Sequence, residues 1–106
     1  MPRLSRLEEE ALHEFASAVR NRYRARVVMI KLFGSRARGE GRSDSDLDIF
    51  VQLAGLRREE KRFLQDLGFD ISFKYGLTVS PLVADARTWR GDLPIGVAIS
   101  TEGLAL

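Results

Sequence analysis

Leu32-Phe33-Gly34-Ser35-Arg36-Ala37-Arg38-Gly39-Glu40-Gly41-Arg42-Ser43-Asp44-Ser45-Asp46-Leu47-Asp48-Ile49-Phe50-Val51 decides how this chain folds. An apolar run from Val27 to Phe33 breaks at a Gly-Ser pair and gives way to a turn rich in Arg and Gly. A second apolar run follows and carries Asp46 and Asp48. Residues two apart on a strand share a face, so the two carboxylates are expected side by side, with Leu47, Ile49 and Val51 turned into a core. Adjacent carboxylates repel unless a cation or a proton lies between them. An all-oxygen pair beside a phosphate site suits Mg²⁺, which takes one or two carboxylates and completes its shell with water and phosphate oxygens.

The Gly-Ser half supplies the phosphate site. Gly34 lets the backbone turn sharply and a ligand come close. Ser35 is expected as the N-cap of a short helix through Arg36, Ala37 and Arg38, whose free amides and positive dipole end would face an anion. Gly39 and Gly41 then return the chain to the second strand. Arg36, Arg38 and Arg42 lie in this loop, where cations would balance a triphosphate, with at least one of them pointing to solvent.

Gly34-Ser35, ten residues, then Asp46-Leu47-Asp48 resembles the signature of the DNA polymerase beta-like nucleotidyltransferases. The finer pattern, Gly-Ser-x-Ala-x-Gly, five residues, Ser-Asp-x-Asp, resembles the minimal nucleotidyltransferase (MNT) branch. A weaker likeness runs on through Leu77-Thr78-Val79-Ser80-Pro81-Leu82-Val83 to Glu102-Gly103. Taken singly, Gly34-Ser35-Arg36 reads as an ordinary turn, and Ser45-Asp46-Leu47-Asp48 as the polar entry to a strand. Asp is nevertheless disfavoured within strands, and the two elements at this spacing between two apolar runs are a specific signal.

Around this centre the chain reads as one domain of 106 residues. Hydrophobic content of 44% and charged content of 30% describe an ordinary soluble globular protein. A formal net charge of +2 neither demands nor excludes a nucleic-acid partner. The absence of cysteine removes disulfide and thiolate chemistry and suits a cytoplasmic setting. No signal-peptide core and no membrane-length apolar run is present.

Residues 5–23 predict an amphipathic helix with Leu7, Ala11, Leu12, Phe15, Ala16, Val19 and Tyr23 on its apolar stripe. Glu8, Glu9 and Glu10 near its start and Arg20, Arg22 and Arg24 near its end complement the dipole. His13, the only histidine, is expected on the surface. Val27 to Phe33 predicts a buried strand, with Lys31 either reaching phosphate or snorkelling to solvent. Asp46 to Leu53 is the second strand. Arg57 to Tyr75 predicts a helix buried through Phe63, Leu64, Leu67 and Ile71, with Gly68 as a weak point where it bends or splits and Gly76 as C-cap. Leu77 to Ala84 is a third strand, which Pro81 marks as an edge or a bulge. Ala86 to Arg90 suggests a helical turn with Trp89 packing. Residues 94–102 are expected to form a short helix begun by Pro94 and ended by Gly103, and the apolar tail 104–106 to dock on the domain, with a partner surface as the alternative. The expected fold is therefore α/β (α+β), a small mixed β-sheet with helices packed on one face, compatible with the minimal nucleotidyltransferase fold.

What the resemblance implies is a Mg²⁺-dependent transfer of AMP from ATP. Asp46 and Asp48 act as catalytic residues and metal ligands, and Gly34, Ser35, Arg36, Arg38 and Ser45 bind the nucleotide. The family commonly adds a third carboxylate from the neighbouring strand, where this chain has Ser80; Asp70 and Asp85 are the nearest acids in sequence and neither is well placed. A tyrosine acceptor suffers least from a missing base, because its pKa of about 10 makes it far easier to ionise than an aliphatic hydroxyl. The partner implied is a HEPN-type toxin modified on a hydroxyl, with this chain as antitoxin. A chain of 106 residues leaves no room for the substrate-binding domain that small-molecule nucleotidyltransferases usually add. Two other readings stand beside it: neutralisation of the partner by binding with little transfer, and transfer to a small molecule or RNA with a partner subunit completing the site. Direct nucleic-acid recognition is the weakest, since no aromatic-basic stacking motif is visible.

Overall fold

The computed structural model describes residues 3–40 and 45–106. The first helix, α1 (Arg6–Tyr23), starts one residue later than expected because Ser5 is its cap: the Ser5 hydroxyl accepts from Glu8 N and the Glu8 carboxylate accepts from Ser5 N. This reciprocal capping box satisfies two amides that the helix leaves without partners. Six of the seven stripe residues are buried, while Leu7 is half exposed and its neighbour Glu8 is buried instead.

The chain then runs through β1 (Val27–Phe33), α2 (Ser35–Arg38), β2 (Leu47–Leu53), α3 (Arg58–Tyr75), β3 (Val79–Asp85), α4 (Pro94–Glu102) and β4 (Leu104–Ala105). The strands form one mixed sheet in the order β3-β2-β1-β4. β2 is antiparallel to β1 and parallel to β3. A parallel pair needs a crossover, and α3 provides it. β3 is an edge strand, so the amide that Pro81 lacks costs no ladder bond. It begins at Val79 rather than Leu77 because the end of α3 takes up the intervening residues: Leu77 N donates to Ser72 O, and Val79 N donates to the Ser72 hydroxyl. The apolar tail docks as β4, which pairs with β1, and Leu106 N donates to Ile30 O.

Alternation along the strands sorts the side chains onto two faces. Ile30, Leu32, Leu47, Ile49, Val51 and Leu53 pack with α1 and α3 in the main core. Phe50 and Ala84 face the other way, into a smaller cluster with Ile99 of α4 and with Trp89. Helices therefore cover both faces of the sheet, where the sequence suggested one. α4 presents no readable stripe, since Leu93, Ile95 and Val97 are about half exposed while Gly96 and Ile99 are buried. Among the described residues no helix is long and apolar enough to cross a membrane.

Gly68 does not split α3, which runs unbroken for 18 residues. A Cβ at Gly68 would stand 2.5 Å from Pro81 Cγ, so the glycine is where β3 presses closest against the helix. Gly68→Ala is therefore expected to destabilise. Overpacking costs about 1–3 kcal/mol, against the roughly 1 kcal/mol that alanine gains in helix propensity. Thermal unfolding checks the sign; a rise in Tm would mean that Pro81 moves aside freely.

Candidate active site

β1 ends at Phe33, directly opposite Asp48 of β2. The next residue, Gly34, has φ 79° and ψ −163°, a region open essentially to glycine. Its carbonyl accepts from Ala37 N and Arg38 N, so Gly34 is the N-cap of α2 and Ser35 is the first helical residue, not the cap. A Cβ built on Gly34 would lie 2.6 Å from Asp48 Oδ2. The glycine thus brings the loop backbone against the carboxylate, and Gly39, left-handed at φ 76°, ends the helical turn. Gly34→Ala is expected to cost about 2–3 kcal/mol from backbone strain and the clash together. It should also displace Asp48. Unfolding measurements with a parallel metal titration would check both effects.

Asp46 lies exposed just before β2, and Asp48 is half-buried on the strand with Leu47, Ile49 and Val51 turned into the core. Burial and then the charge of Asp46 push the Asp48 carboxyl above the usual aspartate range. A carboxylate disfavoured in this way is relieved by a cation.

The parallel register sets Ser80 of β3 opposite Asp48. Paired residues of neighbouring strands share a face, so the place beside Asp48 where a third acid would stand holds a hydroxyl. Asp85 is at the other end of β3, paired with Leu53. Its carboxylate accepts from Gly55 N, Leu56 N and Arg87, and the Arg87 guanidinium first, then the Arg87 amide, hold its pKa down to about 2. It shapes the turn after β2. Asp70 is exposed on α3, the helix that covers the opposite face of the sheet from Asp48. Among the described residues no group of three or more His, Cys, Asp and Glu side chains converges as a metal site.

The arginines of the loop divide. Arg36, expected to meet nucleotide, is only 4% exposed and points away into the protein. Its guanidinium forms a bidentate pair with Glu8, at 2.7 Å (Nη1 to Oε2) and 2.8 Å (Nη2 to Oε1). It also donates to the carbonyls of Arg3 and Ser45. This corrects the sequence assignment: a guanidinium saturated by a buried carboxylate has no fork left for phosphate. Arg38 is exposed at the end of α2 and pairs with Glu40 and Glu102, which ties the loop to the end of α4. Arg42 falls outside the described residues. Ser35 and Ser45 are half-buried on either side of the loop. Lys31 reaches the Ser100 carbonyl at 3.4 Å, so its ammonium serves α4. Glu8 is the residue that sequence reading missed; Ser5-x-x-Glu8 marks a capping box, but nothing local announces the second partner.

The family model described as the nucleotidyltransferase domain matches residues 12–83, which include α1 from Leu12 onward, the loop, both carboxylates and most of β3. This chain belongs to the nucleotidyltransferase family. A Methanocaldococcus jannaschii protein named as a protein adenylyltransferase is 36% identical over 76 residues, covering 72% of this chain and 72% of the relative. A solved structure described as a minimal nucleotidyltransferase superposes with a TM-score of 0.63 at 24% identity, over 92% of this chain and 91% of that one. A second, of a tri-AMPylated Shewanella oneidensis HEPN toxin in complex with MNT antitoxin, matches with a TM-score of 0.57 at 18% identity, over 92% of this chain and 69% of that one. At these identities the two structures speak for the fold. The candidate site fits a divalent cation on its own chemistry: two oxygen-donor acids stand at one strand end, one of them half-buried with its charge disfavoured, which would suit Mg²⁺ with the remaining ligands from water and phosphate.

Proposed function

We propose that this nucleotidyltransferase transfers AMP from ATP to a hydroxyl of a partner protein, and that it acts in the cytoplasm as the antitoxin of a HEPN-type toxin, with tyrosine as the acceptor. The observation that carries the reading is the carboxylate pair set against the Gly34-Ser35 turn. The adenylyltransferase name of the M. jannaschii relative and the AMPylated toxin in the structural neighbour support the choice of AMP and of a protein acceptor.

In this reading Asp46 and Asp48 hold Mg²⁺, which when bound offsets the charge on the triphosphate and on the departing pyrophosphate. Gly34 leaves the loop backbone open to the phosphates, with Ser35 and Ser45 flanking them. The acceptor oxygen forms a bond to the α-phosphorus, the bond from that phosphorus to the β-phosphate bridge breaks, and the hydroxyl proton is released. Ser80 is a poor base for that proton. A phenol, with its pKa of about 10, gives it up to water most readily among hydroxyl side chains.

The test is to express the toxin partner with this chain, wild type or Asp46→Asn/Asp48→Asn, and to weigh the intact partner. Wild type alone is expected to add increments of about 329 Da, one per AMP. A partner that is bound and neutralised without any increment would favour the second reading, inhibition by occupancy, for which the missing acid at Ser80 is the specific observation. Ser80→Asp provides a further check. Restoring a base beside Asp48 is expected to raise the rate of AMP incorporation by about 10²-fold or more, and an unchanged rate would mean that proton removal does not limit the reaction.

A further inference from the structure

Arg36 joins three stretches of the chain: its own helix α2, the N-terminal stretch from Arg3 to Glu8, and Ser45. It sits on α2, takes both oxygens of Glu8 from the first turn of α1, and donates to Arg3 O at 3.1 Å and to Ser45 O at 3.4 Å. Ser45 directly precedes Asp46, and two residues before Arg36 stands Gly34, whose backbone lies against Asp48. The buried guanidinium therefore spans from the glycine turn to the entry of the carboxylate strand. Both charges of the pair are nearly out of solvent, with side-chain exposures of 4% and 5%. A buried ion pair is weak evidence for stability, because apolar side chains of similar volume often serve the fold as well or better. What apolar groups cannot reproduce is a planar fork that fixes the direction of four acceptor oxygens at once.

We propose that Arg36, held by Glu8, is a positioning residue that sets the spacing between the Gly34-Ser35 turn and Asp46, and so tunes how tightly the carboxylate pair holds a divalent cation with nucleotide. The inference rests on the metal and nucleotide reading of the site above. Arg36 acts through the Ser45 carbonyl and the α2 backbone and touches neither metal nor substrate. Supporting groups of this kind typically alter metal affinity or activity by 10–100-fold when removed.

The experiment uses the full chain and titrates Mn²⁺ in the presence of a non-hydrolysable ATP analogue, reading bound metal by electron paramagnetic resonance. The principal variant is Glu8→Gln/Arg36→Met, which leaves no buried charge unpaired and keeps a Gln in the capping box. It is expected to unfold within a few degrees of wild type yet to bind Mn²⁺ about 10–100-fold more weakly. Arg36→Lys is the second variant. It retains the charge but loses the fork, and is expected to show the same direction of change, so the answer does not depend on the double variant folding. Where turnover is followed, the Mg²⁺ concentration that gives the half-maximal rate should rise by about 10–100-fold. Wild-type metal affinity in either folded variant overturns the positioning role. Failure of the wild type itself to bind Mn²⁺ with the analogue would instead overturn the reading of the site, and the inference with it.

Discussion

Glu8→Ala is expected to remove about 3–5 kcal/mol of stability, because it leaves the Arg36 guanidinium buried with its charge unpaired. A domain of this length is typically stable by about 5–15 kcal/mol, so one surface-patterned glutamate would account for about a fifth or more of the margin. The capping box is a smaller part of the loss. Ser5→Ala, which removes only the hydroxyl that accepts from Glu8 N, should cost about 1 kcal/mol. Urea unfolding of the two variants separates the contributions. The exposed pair between Lys74 and Glu14 provides the contrast, since exposed ion pairs of this kind are worth about 0–1 kcal/mol.

The same pair fixes a pH dependence. Burial pushes the Glu8 carboxyl up, but the hydrogen bonds from Arg36 and Ser5 and the Arg36 charge outweigh it, so its folded pKa lies below the ordinary 4.5. The unfolded chain binds the proton first as pH falls. Stability from the charged form is therefore fully present above pH 4.5 and is lost as pH drops through the lowered folded value. Measured against Glu8→Gln, the wild-type advantage should shrink over that acid window and vanish below it. A constant difference down to the lowest pH would show that charge is not what Glu8 contributes.

Why Glu8 escaped a reading of the sequence follows from where sequence patterns carry information. The carboxylate pair was legible because Asp46 and Asp48 are two residues apart at the entry to an apolar run, although only Asp48 falls within β2. The place of Ser80 came from the resemblance to the family's third-carboxylate strand, and the register sets it opposite Asp48. Pairing between Glu8 and Arg36 bridges 28 residues, and no periodicity links α1 to α2. The eight glutamates and arginines in the first 22 residues all look like solvated charges until the fold selects one. The role of Gly68 was hidden for a similar reason: a helix glycine signals weakness locally, and only the approach of Pro81 turns it into a requirement. α4 could not be assigned to a face because its apolar residues surround it.

Asp48→Asn is expected to act in opposite directions on catalysis and on the metal-free fold. If Asp48 holds metal as proposed, its loss would remove several kcal/mol of charge stabilisation from phosphoryl transfer, so the rate should fall by at least about 10³-fold. The folded protein should nevertheless become more stable. Burial and then the Asp46 charge raise the Asp48 pKa above 3.8, so at neutral pH the folded state carries an ionised group that the unfolded chain carries at less cost. This penalty is fully present above the folded pKa and disappears as pH falls towards 3.8. Replacing the charge by an isosteric amide should recover on the order of 1 kcal/mol at neutral pH, the usual scale for relieving a functional residue. That corresponds to a rise of about 4–8 °C in Tm. Asp46→Asn removes only the second cause and should gain less. On the proposed reading magnesium should reverse the order, because ligand binding adds stability to the wild type alone, by about 2.7 kcal/mol at a hundred times its Kd. Thermal unfolding of wild type and Asp48→Asn, each with and without Mg²⁺ and nucleotide, therefore tests one physical claim four ways. If the metal-free variant melts at or below the wild-type temperature, the carboxylate pair is not the source of strain on which the proposed cation site rests.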